Sequence, residues 1–305
     1  MILVWLDANE TISLGVRRIL NKIVDQILQE FTDPGEKRDE GVHDARKNCK
    51  RVRAVYRLIR DEIGFAIYRE ENIRFRDTAR LLAGARDSLV LIQTFDKLVN
   101  TYSDELSIHA YLDFRQYLVD RYQTTLKNEL DHPQRISAIQ KSMREASKQI
   151  SNLPIIREDF SAFQGGLQRT YRRGRKAMHR AYTQPSPDIF HEWRKQVKYL
   201  WHQVEVLESI QPEILTKLAN ELHILSDYLG EDHDLAVLRN TILTASTFSD
   251  GEFEKSLIFR KIDQERMELE GNALTLGERL LSDPPEIFVQ RMKTYWRAWK
   301  SEKIS

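Results

Sequence analysis

With one cysteine, Cys49, in 305 residues, the chain has no internal disulfide framework, and the lone thiol fits a reducing compartment. No stretch approaches the roughly 20 consecutive apolar residues that a membrane span requires. The opening Met-Ile-Leu-Val-Trp-Leu run ends at Asp7 with no basic residue before it, too short for the apolar region of a signal peptide. The expectation from these absences is a cytoplasmic protein with no membrane partner. Glycine (12) and proline (8) are sparse and fall between periodic segments, and strand-like alternation is missing, so the chain reads as all-α. Charge of one sign is not in excess either: 47 Lys and Arg stand against 46 Asp and Glu, a net charge of +1. An anion site must therefore come from segregation of charge. No GxxxxGK[ST] phosphate loop, GxSxG elbow or HExxH zinc motif occurs, which removes the commonest routes to catalysis and to a resident metal or cofactor.

What is present is ample material for a core: 41% of residues are hydrophobic and 30% charged. Periodicity predicts helices over 9–31, 41–63, 67–99, 102–130 with 134–151, 157–183, 188–211, 213–246, and 252–281 with 285–301. Asn9, Ser186/Asp188 and Ser282/Asp283 read as caps. Asp33-Pro34-Gly35, Pro185-Ser186-Pro187, Pro212 and Pro284-Pro285 read as breaks.

One pattern occurs twice. His43-Asp44-Ala45-Arg46-Lys47-Asn48-Cys49-Lys50 is echoed 148 residues later by His191-Glu192-Trp193-Arg194-Lys195-Gln196-Val197-Lys198. On a helix, with His43 at 0°, Arg46 falls near about −60°, Lys47 near about +40° and Lys50 near about −20°. The same face continues through Arg53, Arg57 and Arg60, and Val52, Val55, Tyr56, Ile59 and Ile63 lie opposite. Cys49, at about 240°, falls on the apolar side and reads as a small core residue. From His43 to Arg60 the only acid is Asp44. An ordinary surface helix mixes signs, because like charges at i,i+4 repel. A bound polyanion is the simplest partner that would offset that repulsion.

A second basic stripe lies at Arg169, Arg172, Arg173 and Lys176, spaced i, i+3, i+4 and i+7, with Arg175 and Arg180 beside it and no acid between Phe160 and Asp188. The first half has a weaker counterpart in Arg17, Arg18 and Lys22. Short connections would let such stripes face a common groove. Arginine presents a planar fork to phosphate oxygens, lysine a mobile point charge, and a histidine beside an anion is favoured as the imidazolium. His43 and His191 fall in a first helical turn, where free N–H groups also favour anions. Glu231-Asp232-His233-Asp234 has either cation binding or ion pairing open to it. His109, His132, His179, His202 and His223 read as surface or core histidines, with His202 one turn beyond Lys198, and Trp193 and Trp201 as core aromatics.

The halves correspond further. The 41–63 helix matches 188–211, and Ala85-Arg86-Asp87-Ser88-Leu89-Val90-Leu91 matches Asp232-His233-Asp234-Leu235-Ala236-Val237-Leu238. Prolines at 133 and 284 break the last helices alike. Two tandem four-helix bundles from an internal duplication, 1–151 and 152–305, fit this pattern. The doubled HxxRKxxK helices, with Tyr171-Arg172-Arg173-Gly174-Arg175, resemble the CHAD family, the conserved histidine α-helical domain, over nearly the whole chain. That resemblance implies a pseudo-twofold pair of bundles, a basic central groove or pore that binds inorganic polyphosphate, and association with polyphosphate granules and their proteins. By position it implies a site of His43, Arg46, Lys47, Lys50, His191, Arg194, Lys195 and Lys198. Flanking contributions come from Arg17, Arg18, Arg169, Arg172, Arg173 and Arg175, and the basic face adds Arg53 and Arg57.

The chain departs from an even repeat where Arg53 and Arg57 are answered by Trp201 and Glu205. Many relatives also carry a triphosphatase domain with an ExExK signature, and no such motif occurs here. The leading expectation is therefore non-catalytic polyphosphate binding without cofactor or metal. A nucleic-acid or other polyanion binder comes second, since the basic helices keep their aromatics on the apolar side. A metal-dependent phosphohydrolase, suggested by His43-Asp44 and His233-Asp234, comes third.

Overall fold

The computed structural model describes residues 5–31, 38–106, 111–130, 133–245 and 252–301, and among these every regular element is helical. His109, His132 and the expected break at 33–35 lie outside the described residues. In order the helices are α1 (Ile12–Gln29), α2 (Arg38–Leu58), α3 (Arg60–Leu81), α4 (Ala83–Thr101), α5 (Leu112–Leu130) and α6 (Pro133–Ser151). They continue with α7 (Ser161–Thr183), α8 (Pro187–Val206), α9 (Pro212–Thr244), α10 (Glu252–Leu280) and α11 (Pro285–Ser301), a short 3₁₀ turn at Glu208–Ile210 joining α8 to α9. No helix among the described residues is long and apolar enough to cross a membrane.

Local chemistry starts these helices. Thr11, not Asn9, caps α1, its side chain accepting from Leu14 N at 3.2 Å. Ser186 caps α8 as expected, accepting from Ile189 N at 3.3 Å with Pro187 pre-set for the first turn. At α11 the carbonyl of Pro284 receives the first N–H groups, while Asp283 pairs with Arg291 at 2.7 Å.

Several expected helices are shorter or divided. The one over 41–63 ends at Leu58, because Ile59 leaves helical geometry (φ −93°, ψ 12°). Gly64 (φ 79°, ψ 162°) kinks α3 at the break expected between 63 and 67, and the helix over 67–99 is cut again at Leu82 (φ −106°, ψ 9°) before α4, whereas α9 runs unbroken through the matching region. The segment from Tyr102 to Leu106 forms turns, so α5 begins only at Leu112.

Apolar stripes then meet in two clusters, each drawing on both halves of the chain. The larger joins Val16, Val52, Tyr56 and Phe75 to Phe163, Tyr171, Trp193, Leu222 and Phe288. Within it Tyr171 and Phe288 stack with ring centroids 4.1 Å apart. The smaller joins Phe95 of α4 and Phe114 of α5 to Leu238 of α9 and Ile258 and Ile262 of α10. Burial of each such side chain stabilises the fold by roughly 1.5–3 kcal/mol. Cys49 and Trp193 are completely buried in the larger cluster, and burial pushes the Cys49 thiol up to about 12, so it is a packing group.

α2 packs directly on α8, and Gln203 Nε2 donates to the Ala54 carbonyl across that contact at 3.2 Å. α9 lies against α8, α10 and α4, and α7 against α8, α2 and α3. The α7–α2 approach depends on Gly166. A Cβ there would sit 2.1 Å from the Leu58 carbonyl oxygen and 2.5 Å from that of Arg57, so only glycine fits.

Candidate anion-binding site

Because α2 and α8 are in contact, the two copies of the motif meet. Arg46 and Lys50 from one, Arg194 and Lys198 from the other, fall within electrostatic range of one another. Both lysines are largely buried, and burial is the main force on them. It holds the Lys50 ammonium down to about 8, helped by Arg194 and Arg46. It holds Lys198 down to about 6, helped by Arg194 and Lys50. Arg194 is depressed mainly by burial, with relief from Asp234 and Asp227. Neither lysine makes a hydrogen bond or ion pair with any described residue, and the Nε of Arg194 is buried without a partner.

The two arginines of the motif are positioned differently. Arg46 Nη1 donates to the carbonyls of Leu82 (3.3 Å) and Ala83 (2.8 Å) and to Asp87 Oδ1 (2.9 Å). It therefore ties α2 to main-chain oxygens at the α3–α4 break. Arg194 instead lies against the unbroken α9 at Gly230, where a Cβ would be 3.0 Å from its Nη2 and 3.3 Å from its Nε. Glycine gives the guanidinium room to lie on the helix.

The histidines frame this cluster. His43 is lowered by burial and by Arg86, His191 by burial and by Lys195 and Arg194. The ring of His233 of α9 packs tilted against that of His191 with centroids 4.2 Å apart, and burial with His191 and Arg194 nearby holds it down to about 4. Arg86, His233 and Asp234 are thus part of the neighbourhood although none lies in a motif. The matching segments 85–91 and 232–238 carried a sequence signal for all three, and the Glu231–Asp234 cluster a further one for His233 and Asp234.

The remaining predicted residues are spread around the centre. Lys47 is half-buried with no ion pair or hydrogen bond to a described residue, and Lys195 is exposed and paired to Glu192 of its own helix. Arg53 and Arg57 lie against Tyr199 of α8, at 5.7 and 4.1 Å from its ring centroid. Arg17 and Arg18 are occupied elsewhere: Arg17 Nη2 donates to the Leu153 carbonyl at 2.7 Å, and Arg18 Nε to Glu10 at 2.9 Å. Along α7, Arg169 pairs with Asp61 of α3 (2.7 Å), Arg172 with Glu286 of α11 (3.0 Å), and Arg175 Nε donates to the Leu281 carbonyl (3.1 Å). Arg173 is exposed. The α7 stripe therefore points its partnered arginines at α3 and α11, not at the α2–α8 centre.

The acidic segment of α9 is taken up in ion pairs. Glu231 meets Lys97 at 2.7 Å, Asp232 meets Arg266 at 2.8 Å, and Asp234 is within range of Arg194 and Lys198. Among the described residues no three His, Cys, Asp or Glu side chains are gathered as a metal site would need. His202 is buried, its Nδ1 2.7 Å from Glu205, and Trp201 is sandwiched between His202 and His223. His179 is exposed.

Comparison with curated proteins finds none that matches this chain. The model of the CHAD domain matches residues 18–243, a span that includes both motif helices, and the chain belongs to the CHAD family.

Proposed function

We propose that this CHAD protein binds inorganic polyphosphate without catalysis, with the α2–α8 cluster as its centre. The observation that carries the reading is the crowding of Arg46, Lys50, Arg194 and Lys198 in a largely buried space. Burial, with Arg194 beside both, holds their lysines down to about 8 and about 6. Asp87, Asp227 and Asp234 offset part of that charge. A chain of closely spaced phosphates would offset the rest and restore the ammonium forms.

The same reading takes residues 1–151 and 152–305 as duplicated four-helix units about a pseudo-twofold axis, with a basic groove where α2 and α8 meet. Polyphosphate granules and their proteins are the setting that the family suggests. Polyphosphate is favoured over nucleic acid because the tryptophans of the motif helices, Trp193 and Trp201, are buried and offer no stacking platform.

Calorimetric titration with polyphosphate, then competition by single-stranded DNA of equal charge, tests this. Binding should be lost in Lys50→Ala/Lys198→Ala, and DNA should displace polyphosphate poorly. Equal displacement by DNA would favour a general polyanion binder.

A further inference from the structure

Beyond the motifs the two sides of the centre differ in charge. Arg53, Arg57 and Arg60 follow Lys50, while the positions 148 residues on hold Trp201, Glu205 and Glu208. The three arginines form a cradle floored by aromatic rings. Arg57 lies 4.1 Å from the Tyr199 centroid and 5.6 Å from that of Tyr68. Arg60 reaches the same Tyr68 ring at 5.0 Å and the exposed Phe65 at 5.0 Å.

Their hydrogen bonds go to neutral groups. Arg53 Nε donates to Asn72 Oδ1 at 3.1 Å, and Arg57 donates to the hydroxyls of Tyr68 and Tyr199. None of the three has an ion pair with a described residue, and Arg60 has no hydrogen bond to one either. The acid that feels Arg53 is Asp77, already paired with Arg76 at 2.8 Å. On the other side Glu205 is held by His202 (2.7 Å) and Arg51 (3.5 Å), and Glu208 by Thr216 (2.5 Å).

That asymmetry matters because a condensed phosphate chain is not uniform. Each interior phosphate has one acidic oxygen, whereas an end phosphate has a second that ionises near pH 6, as a phosphate monoester does. The end is the most anionic point of the chain, and arginine's fork suits its free oxygens. The mirror positions, Trp201, Glu205 and Glu208, offer a chain continuing that way no cation.

We propose that Arg53, Arg57 and Arg60 are a terminal subsite that takes the end phosphate of a chain whose body lies in the α2–α8 cluster, so that binding is end-on and directional. This rests on the polyphosphate reading above.

The test compares a linear polyphosphate with the cyclic metaphosphate of the same phosphorus count, which has no end. In Arg53→Gln/Arg60→Gln, affinity for the linear chain should fall by about tenfold or more, and affinity for the ring should change by less than about twofold. Arg60→Gln alone, at a side chain with no hydrogen bond to lose, should show the same selective loss in smaller measure and keeps the test open if the double variant fails to fold. Equal weakening of linear and cyclic ligands, or no weakening of either, would overturn the terminal subsite while leaving polyphosphate binding intact. A wild-type protein that binds neither ligand would instead remove the polyphosphate reading and this inference together.

Discussion

Lys50 lies within electrostatic reach of Lys198 across the α2–α8 contact, and both ammonium groups are held well below lysine's ordinary range. They occupy equivalent places in the two motifs, yet they settle apart, at about 8 and about 6. Burial leads in both cases, and Arg194 is the strongest cation acting on each. The folded protein keeps proton affinity low where an anion would raise it.

The sign of the pH dependence follows. Between their folded values and lysine's ordinary 10.5, the folded lysines bind fewer protons than the unfolded chain, so stability of the free protein rises with pH. From about pH 7.5 to 9 the gain should be on the order of 1 kcal/mol per pH unit, read as a rising thermal midpoint. Above pH 9 the thiol of Cys49, pushed up from 9.0 to about 12, opposes it. Polyphosphate should bind with proton uptake and more tightly as pH falls, and the lowered His43 and His191 act in the same direction. Calorimetry in two buffers of different ionisation enthalpy measures that uptake. A flat midpoint in the free protein would show that the lysines are not held below their ordinary range.

Replacing both lysines by an apolar side chain of similar length separates structure from binding. Lys50→Met/Lys198→Met should raise the thermal midpoint, because the stems stay packed while buried charge is removed. Affinity for polyphosphate should fall at least tenfold, as expected for the loss of two charged contacts. A lowered midpoint would mean that these ammonium groups support the fold.

Binding should also be strongly salt-dependent. If about six to ten phosphates are neutralised, affinity falls on the order of a thousandfold between about 50 and 200 mM salt. The slope of log K against log salt concentration is the measurement, and a slope near zero would exclude the electrostatic account.

Gly166→Ala should destabilise the protein by about 3 kcal/mol, because the added Cβ meets main-chain oxygens of α2 that cannot turn aside. Chemical denaturation reads it. Gly230→Ala should act differently, since its Cβ meets the flexible end of Arg194. The expected result is a stability change below about 1 kcal/mol with weakened polyphosphate affinity, because the guanidinium moves off its seat.

Much of this arrangement was legible in the chain. The face shared by Arg46, Lys50 and the buried stripe opposite it follows from helical periodicity alone, as do the Ser186 cap and the burial of Cys49. The cut at Leu82 was not legible, and Arg46, which bonds the main chain there, is 36 residues away in sequence. The roles of Arg17 and Arg18 were hidden for a related reason. Spacing places them on a face of α1, but only packing shows that Arg17 meets the Leu153 carbonyl. Helix rotation against a neighbour is a tertiary property, and it decided which basic stripes converge.

Both apolar clusters take side chains from the two halves of one polypeptide. A symmetric homodimer built from a half-length chain would be bound to present the same residues on both sides of its axis. Joined in a single chain, the sides are released from that constraint. One can hold arginines where the other holds carboxylates, and the proposed site would then have a front and a back.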